Sequence, residues 1–495
     1  MLGLGLAFVV GSAVGSGDFQ MVAMIFGAGI AVATLLVLGN NYWMLIPLSL
    51  GATFPAIPLG GRAIEFSELA ITACTIFFLL RVATRKEKLH LFLPINIPFL
   101  VFIAWVGMVF VLNPIGLAML GSSVGGGRFY LKLGLAFASF FILSNRTYSQ
   151  RDMRWVFALL IFGAFFGMAY SIAEHFLRGP QLDPRTGLIS EGGYSWHQVL
   201  SWPALTIAFV IFSRWSPKEV FGVQRPWHIA AYAACLLLVL MSGKRMALLA
   251  VLMAPAVSAL MFRQLVYVFV ASGSLLLLMA FLVVGQGQWF SLPIVAQRTL
   301  SWIPGNWDSE LQYIEGGRDE WRAELRRVAL ANISRDPWIG RGFAVDISET
   351  LTAVGMQMYE GSVEAQAAAY ALGRSWHNTW LGYAADFGIP FSAMQGAILI
   401  LILVVSAKCF RWLGNRSMLG AFSLYVFIFT VRDLVASWTS GHSAYDAFDR
   451  WWMYGILVGI YLQTFKNVDR DVSDRAQILD PVPRFSGNGA VSAAR

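Results

Sequence analysis

Apolar runs close to the roughly 20 residues needed to cross a bilayer recur along almost the whole chain, and nothing else in it restricts the fold as strongly. Inside hydrocarbon every backbone N–H and C=O needs an internal partner, so runs of this length fold as helices. Candidate spans lie near 4–16, 21–38, 42–59, 67–83, 92–112, 127–144, 154–175, 196–213, 227–242, 245–261, 265–284, 391–407, 417–436 and 451–465. The first, third and ninth are short or broken by Gly and Pro, which leaves about 12–14 transmembrane helices. Of 495 residues, 57% are hydrophobic and only 13% charged, which excludes an ordinary soluble domain. The expected fold class is an all-α polytopic membrane protein.

Charge sets the expected orientation. Alternate short loops carry Arg81, Arg85, Lys86 and Lys88, then Arg146, Arg151 and Arg154, then Arg214, Lys218 and Arg225, then Arg263, then Lys408, Arg411 and Arg416. All fall on one side of the membrane, which the positive-inside rule makes cytoplasmic. The net charge of +8 is therefore a topological signal, and no nucleic-acid partner is implied. The opposite, periplasmic side receives a polar stretch of about ninety residues. The expected division is an N-terminal transmembrane bundle over 1–285, a periplasmic loop over 286–376, C-terminal transmembrane helices over 377–466, and a disordered cytoplasmic tail over 467–495. The N-terminal apolar stretch has no basic region ahead of it, as in a retained helix rather than a cleaved signal. Cys74, Cys235 and Cys409 sit in or beside apolar runs without metal-type spacing and read as small buried hydrophobes.

Within the loop, Trp321, Leu325, Val328 and Ala329 recur at helical spacing, with Arg322, Glu324, Arg326 and Arg327 off the stripe. This predicts an amphipathic helix, on the membrane surface or against the spans, ending at the Asp336-Pro337 and Gly340-Arg341-Gly342 turns. A second helix is expected near 359–372, and a short third one from Asn378 to Asp386, stopped by Gly388 and Pro390.

Cations on the outer face run against the positive-inside trend, and an anionic ligand is the simplest reason for them. They include Arg62, Arg128, Arg178, Arg185, Lys244, Arg245 and Arg318. Ser242-Gly243-Lys244-Arg245 opens a span with Ser242 as the expected N-cap. Backbone N–H groups, helix dipole and two cations there would suit a phosphate; a snorkelling anchor is the plainer alternative. Arg185 and Arg318 are further candidates, each also readable as a solvated loop arginine. Arg450, beside Asp446 and Asp449, reads as an ion-pairing or capping residue. His377 precedes the short third helix, where the helix N-terminus and Arg374 both disfavour imidazolium. A neutral ring there could accept a hydroxyl proton; equally, Trp376 and Trp380 could mark it as part of an interfacial aromatic belt.

Three segments carry a resemblance. They are Ser242-Gly243-Lys244-Arg245-Met246-Ala247-Leu248-Leu249; Gly317-Arg318-Asp319-Glu320-Trp321 with Asp336-Pro337-Trp338-Ile339-Gly340-Arg341-Gly342-Phe343; and Trp376-His377-Asn378-Thr379-Trp380-Leu381 with Gly388-Ile389-Pro390. In order and spacing around one large loop they resemble the O-antigen ligase and O-antigen/exopolysaccharide polymerase superfamily of the bacterial inner membrane. The resemblance implies glycosyl transfer on the periplasmic face from an undecaprenyl diphosphate-linked glycan, without metal or cofactor and with inversion. His377 is similar to the family's proposed base, and Arg245 and Arg185 to the arginines that hold the diphosphate, with Lys244 and Arg318 assisting. The implied partners are the lipid-linked donor, a glycan or lipid A-core acceptor, membrane lipids, a flippase and a chain-length regulator.

Polymerisation of repeat units is the leading expectation, because the loop is long and lacks an obvious basic lipid A-docking patch. Ligation of a finished glycan onto lipid A-core is the alternative. A flippase or transporter would want charges in the middle of several helices. Here Lys132 is the main one expected there. A dolichyl-type glycosyltransferase would want acidic residues in the first outer loop, where only Asp18 is available.

Overall fold

The computed structural model describes residues 34–51, 57–59, 62–91, 93–113, 127–178, 196–222, 224–343, 367, 370–371, 376–439 and 450–479. The chain is an all-α polytopic membrane protein. Its main helices are α1 (Leu45–Gly51), α2 (Phe66–Ala83), α3 (Ile97–Leu112), α4 (Gly127–Ser144), α5 (Gln150–Arg178), α6 (Ser201–Arg214), α7 (Pro226–Leu240), α8 (Arg245–Met261), α9 (Leu265–Gly285), α10 (Ile294–Leu300), α11 (Ser309–Arg335), α12 (Thr379–Phe387), α13 (Ile389–Leu413), α14 (Met418–Thr439) and α15 (Trp451–Leu479).

Six described helices are long and apolar enough to cross a membrane: Phe66–Ala83, Pro94–Leu112, Gly127–Ser144, Gln150–Leu177, Ile389–Leu413 and Met418–Trp438. Thr34–Leu50, Pro226–Leu240, Arg245–Met261 and Leu276–Gly285 are shorter apolar helices. The expected spans at 4–16 and most of 21–38 lie outside the described residues. The one expected at 42–59 is cut at Gly51, and Ile57–Leu59 pairs antiparallel with Arg62–Ile64 instead. Pro55 and Pro58 lack the N–H that a continuing helix would need. At the other end α15 runs on to Leu479, past the boundary expected at 466.

α6 packs against α5, α7, α8 and α14, α13 pairs with α14, and α15 lies along α4. That last contact depends on small residues. A Cβ at Gly455 would come within 2.6 Å of the Phe140 carbonyl oxygen, and one at Gly459 within 2.9 Å of that of Arg146. The small-xxx-small spacing lets the two backbones approach, as it does between membrane helices generally. Trp451, fully buried, packs its ring on Phe99, Phe102, Phe137 and Phe140 next to this contact.

Two ion-pair clusters brace the bundle. Arg128 of α4 grips Glu68 of α2 through Nε and Nη2, both at 3.1 Å, and Lys132 Nζ lies 2.7 Å from Glu65 Oε1. Both cations therefore have carboxylate partners within the bundle, so Arg128 needs no external anion to explain it. Glu87 gathers Arg81, Arg146 and the Tyr42 hydroxyl at 2.9, 3.2 and 3.0 Å.

Candidate active site

The apolar stripe of α11 points at α12. Trp321, Leu325 and Ala329 are buried with Trp376 and Ala385, and Leu381 packs at the edge. The stripe is thus buried against the short helix α12. Below this contact the 336–343 segment clamps the far end of α12. Gly342 N–H donates to the Asp386 carbonyl at 2.7 Å, Arg341 N–H to that of Ala385 at 3.3 Å, and Ile389 N–H to that of Pro337 at 2.8 Å. Gly340 (φ +70°) and Gly388 (φ +84°) cross here: a Cβ on Gly340 would sit 2.6 Å from the backbone nitrogen of Gly388. The Trp105 indole closes the clamp from α3 by donating to the Phe387 carbonyl at 2.8 Å. The Gly-x-Gly and Gly-x-Pro elements thus serve a backbone crossing.

His377 lies at the opposite end of α12, one residue before its N-cap. Asn378 Oδ1 accepts the Leu381 N–H at 3.0 Å, and its Nδ2 donates to the Trp438 carbonyl of α14 at 3.3 Å. His377 itself has φ +50°, left-handed backbone that a β-branched or bulky residue enters only under constraint. Its imidazole stands edge-on to Trp321 (4.9 Å between centroids, 77°) and to Tyr370 (5.0 Å, 80°), two rings that stack on each other at 4.6 Å. An aromatic corner therefore orients the half-buried ring.

At the 242–245 turn the structure corrects the cap. Ser242 Oγ donates to the Val239 carbonyl at 2.7 Å and accepts the Lys244 N–H at 3.2 Å, while Lys244 occupies the N-cap position of α8. Gly243, at φ +71°, makes the bend possible. Arg245 directs its fork at the end of α10, with Nε to the Arg298 carbonyl at 3.2 Å and Nη2 to Ser301 Oγ at 2.7 Å. The amine of Lys244 is held down to about 8, first by burial and then by the charge of Arg432. Arg318 lies in α11, and Arg185 and Arg374 fall outside the described residues.

α14 joins these parts. Arg432 acts on Lys244 from this helix, and six residues further on the Trp438 carbonyl receives Asn378. Six residues of helix span about 9 Å. α8, which the 242–245 turn opens, and α12, which the His377 segment opens, both pack against α14.

Arg432 and the fully buried Asp433 are charges that the sequence reading passed over. An Arg-Asp pair inside the expected span at 417–436 was the available signal, since ionisable residues within spans are costly and mark function. Asp433 Oδ1 holds Arg432 at 2.7 Å and Oδ2 holds Arg450 at 3.1 Å. Arg450 pairs with Asp433; the pairing or capping expected beside Asp446 and Asp449 lies outside the described residues.

Residues 230–394 match the family described as O-antigen ligase. The match supports the O-antigen ligase/polymerase superfamily for this segment. The O-antigen ligase segment runs from α7 into α13 and includes both the 242–245 turn and His377, whereas Arg432, Asp433 and Arg450 lie beyond it. Comparison with curated proteins gives no match.

Proposed function

We propose that this chain transfers a glycan from undecaprenyl diphosphate to an acceptor sugar hydroxyl on the periplasmic face of the bacterial inner membrane. The observation that carries the reading is that the helices opened by the Lys244–Arg245 turn and by the His377 segment both pack against α14, with the turn and His377 within the O-antigen ligase segment. Neutral His377 accepts the acceptor hydroxyl proton. The oxygen attacks the anomeric carbon as its bond to the diphosphate breaks, with inversion. Undecaprenyl diphosphate leaves with the bonding pair, and its growing charge is stabilised by Arg245, Arg185, Lys244 and Arg318. Cations beside a diphosphate leaving group can do this without a metal.

Polymerisation of repeat units into an O-antigen or exopolysaccharide is the leading form, and a flippase and a chain-length regulator would be its natural partners. The family description favours a second form, ligation of the finished glycan onto lipid A-core. Complementation of a deletion strain separates them. Loss of the gene would leave single repeats on lipid A for a polymerase, and unattached polymer on the carrier for a ligase. Normal surface glycan in the deletion strain would contradict both.

A further inference from the structure

Among the described residues, Asp433 is the carboxylate that Arg432 and Arg450 share. Asp433 has no exposed surface and divides its two oxygens between Arg432 and Arg450. α8, whose N-cap is Lys244, packs against α14, and the Arg432 charge adds to burial in depressing the Lys244 amine, which among the described residues has neither a hydrogen bond nor an ion pair. Among the described residues the Nε of Arg432 is buried without an acceptor. Two cations thus lie on packed helices where desolvation makes like charge costly, with donor capacity left on both among the described residues.

A purely structural ion pair would not be built this way. Residues i and i+1 on a helix point about 100° apart and do not face each other, so Asp433 draws the Arg432 fork sideways across the helix surface. We infer that Arg432, aimed by Asp433, binds phosphate jointly with Lys244 and so adds a cation to the donor site from outside the O-antigen ligase segment. The inference rests on the proposed diphosphate chemistry. Asp433 is a positioning residue here, and Arg432 is the ligand.

The test is binding of farnesyl diphosphate, with farnesol, inorganic diphosphate and phosphatidylglycerol as comparisons, to the purified full-length protein in detergent. Loss of one charge-assisted, forked contact in Arg432→Gln should weaken farnesyl diphosphate binding about 10- to 100-fold. Farnesol binding should stay unchanged, and Arg432→Lys should recover only part of the loss. Lys244→Gln combined with Arg432→Gln should cost less than the product of the single effects, because the two share one ligand. If Arg432→Gln fails to fold, Arg432→Gln with Asp433→Asn removes both charges and carries the same expectation. Wild-type affinity in the Arg432 variants, with Lys244→Gln weakened, overturns this inference and leaves the proposed function standing. Phosphatidylglycerol binding as tight as that of farnesyl diphosphate assigns the pair to bilayer headgroups and also overturns it. A wild-type protein that binds farnesyl diphosphate no better than farnesol overturns both.

Discussion

The indole Nε1 of Trp376 donates to both carboxylate oxygens of Asp386, at 3.3 and 3.2 Å, and both residues are fully buried. The bond ties the residue before His377 to the far end of α12. Gly382 makes room for it, since a Cβ there would lie 2.8 Å from the Trp376 ring. Trp376→Phe keeps the packing and removes the donor. It should cost about 1–3 kcal/mol, the penalty for a buried acceptor that loses a partner, read as a lower melting temperature in detergent. Transfer should fall further than stability alone would account for, because the His377 backbone loses its anchor.

The glycines separate conformational cost from steric cost. Gly340 and Gly414 have nearly the same φ, +70° and +69°, but a Cβ at Gly414 meets nothing within 4 Å. With ψ 171°, Gly414 holds a backbone conformation essentially confined to glycine, so Gly414→Ala should show that backbone penalty alone, about 1–3 kcal/mol. Gly340→Ala adds a collision with the backbone of Asp386, Phe387 and Gly388 and should lose most folded protein. Monodisperse yield by size exclusion ranks the pair, and equal yields would contradict the crossing.

Lys244 makes stability depend on pH in a defined direction. Its folded value of about 8 lies below the ordinary 10.5, so the unfolded chain holds this proton more tightly. Below about 8 the fold carries the full cost of the half-buried cation. Between about 8 and 10.5 stability rises with pH, and above that window the contribution is flat. In delipidated protein Lys244→Met should melt higher than wild type at pH 7, with the gap closing as pH passes through the window. A gap that is constant with pH would contradict the assignment.

Arg128 offers a check on the bundle. Removing it alone, as Arg128→Met, strands the buried carboxylate of Glu68, at a cost on the order of 3–5 kcal/mol. Arg128→Met with Glu68→Met should recover much of that loss in the same melting assay.

The spans were legible where apolar runs end at charged or Gly/Pro punctuation, as at Gly127–Ser144 and Arg245–Met261. The α11 stripe and the Asn378 cap were legible from periodicity and capping chemistry. The destination of Arg245 was not, because its partners Arg298 and Ser301 come from a short helix more than fifty residues away. Nor was the aromatic corner around His377, since sequence spacing cannot bring Trp321 and Tyr370 onto one ring. Arg432 and Asp433 were in plain view within a span. Their role depends on Lys244 and Arg450, from two other helix ends, and only packing brings those together.

Proton transfer at His377 is tested most directly by His377→Gln in proteoliposomes supplied with undecaprenyl diphosphate-linked glycan and an acceptor glycan. Removing a general base should cut transfer roughly a hundred- to ten-thousandfold while farnesyl diphosphate binding stays near the wild-type level. Transfer at the wild-type rate by the folded variant would contradict the assignment of His377 as the base.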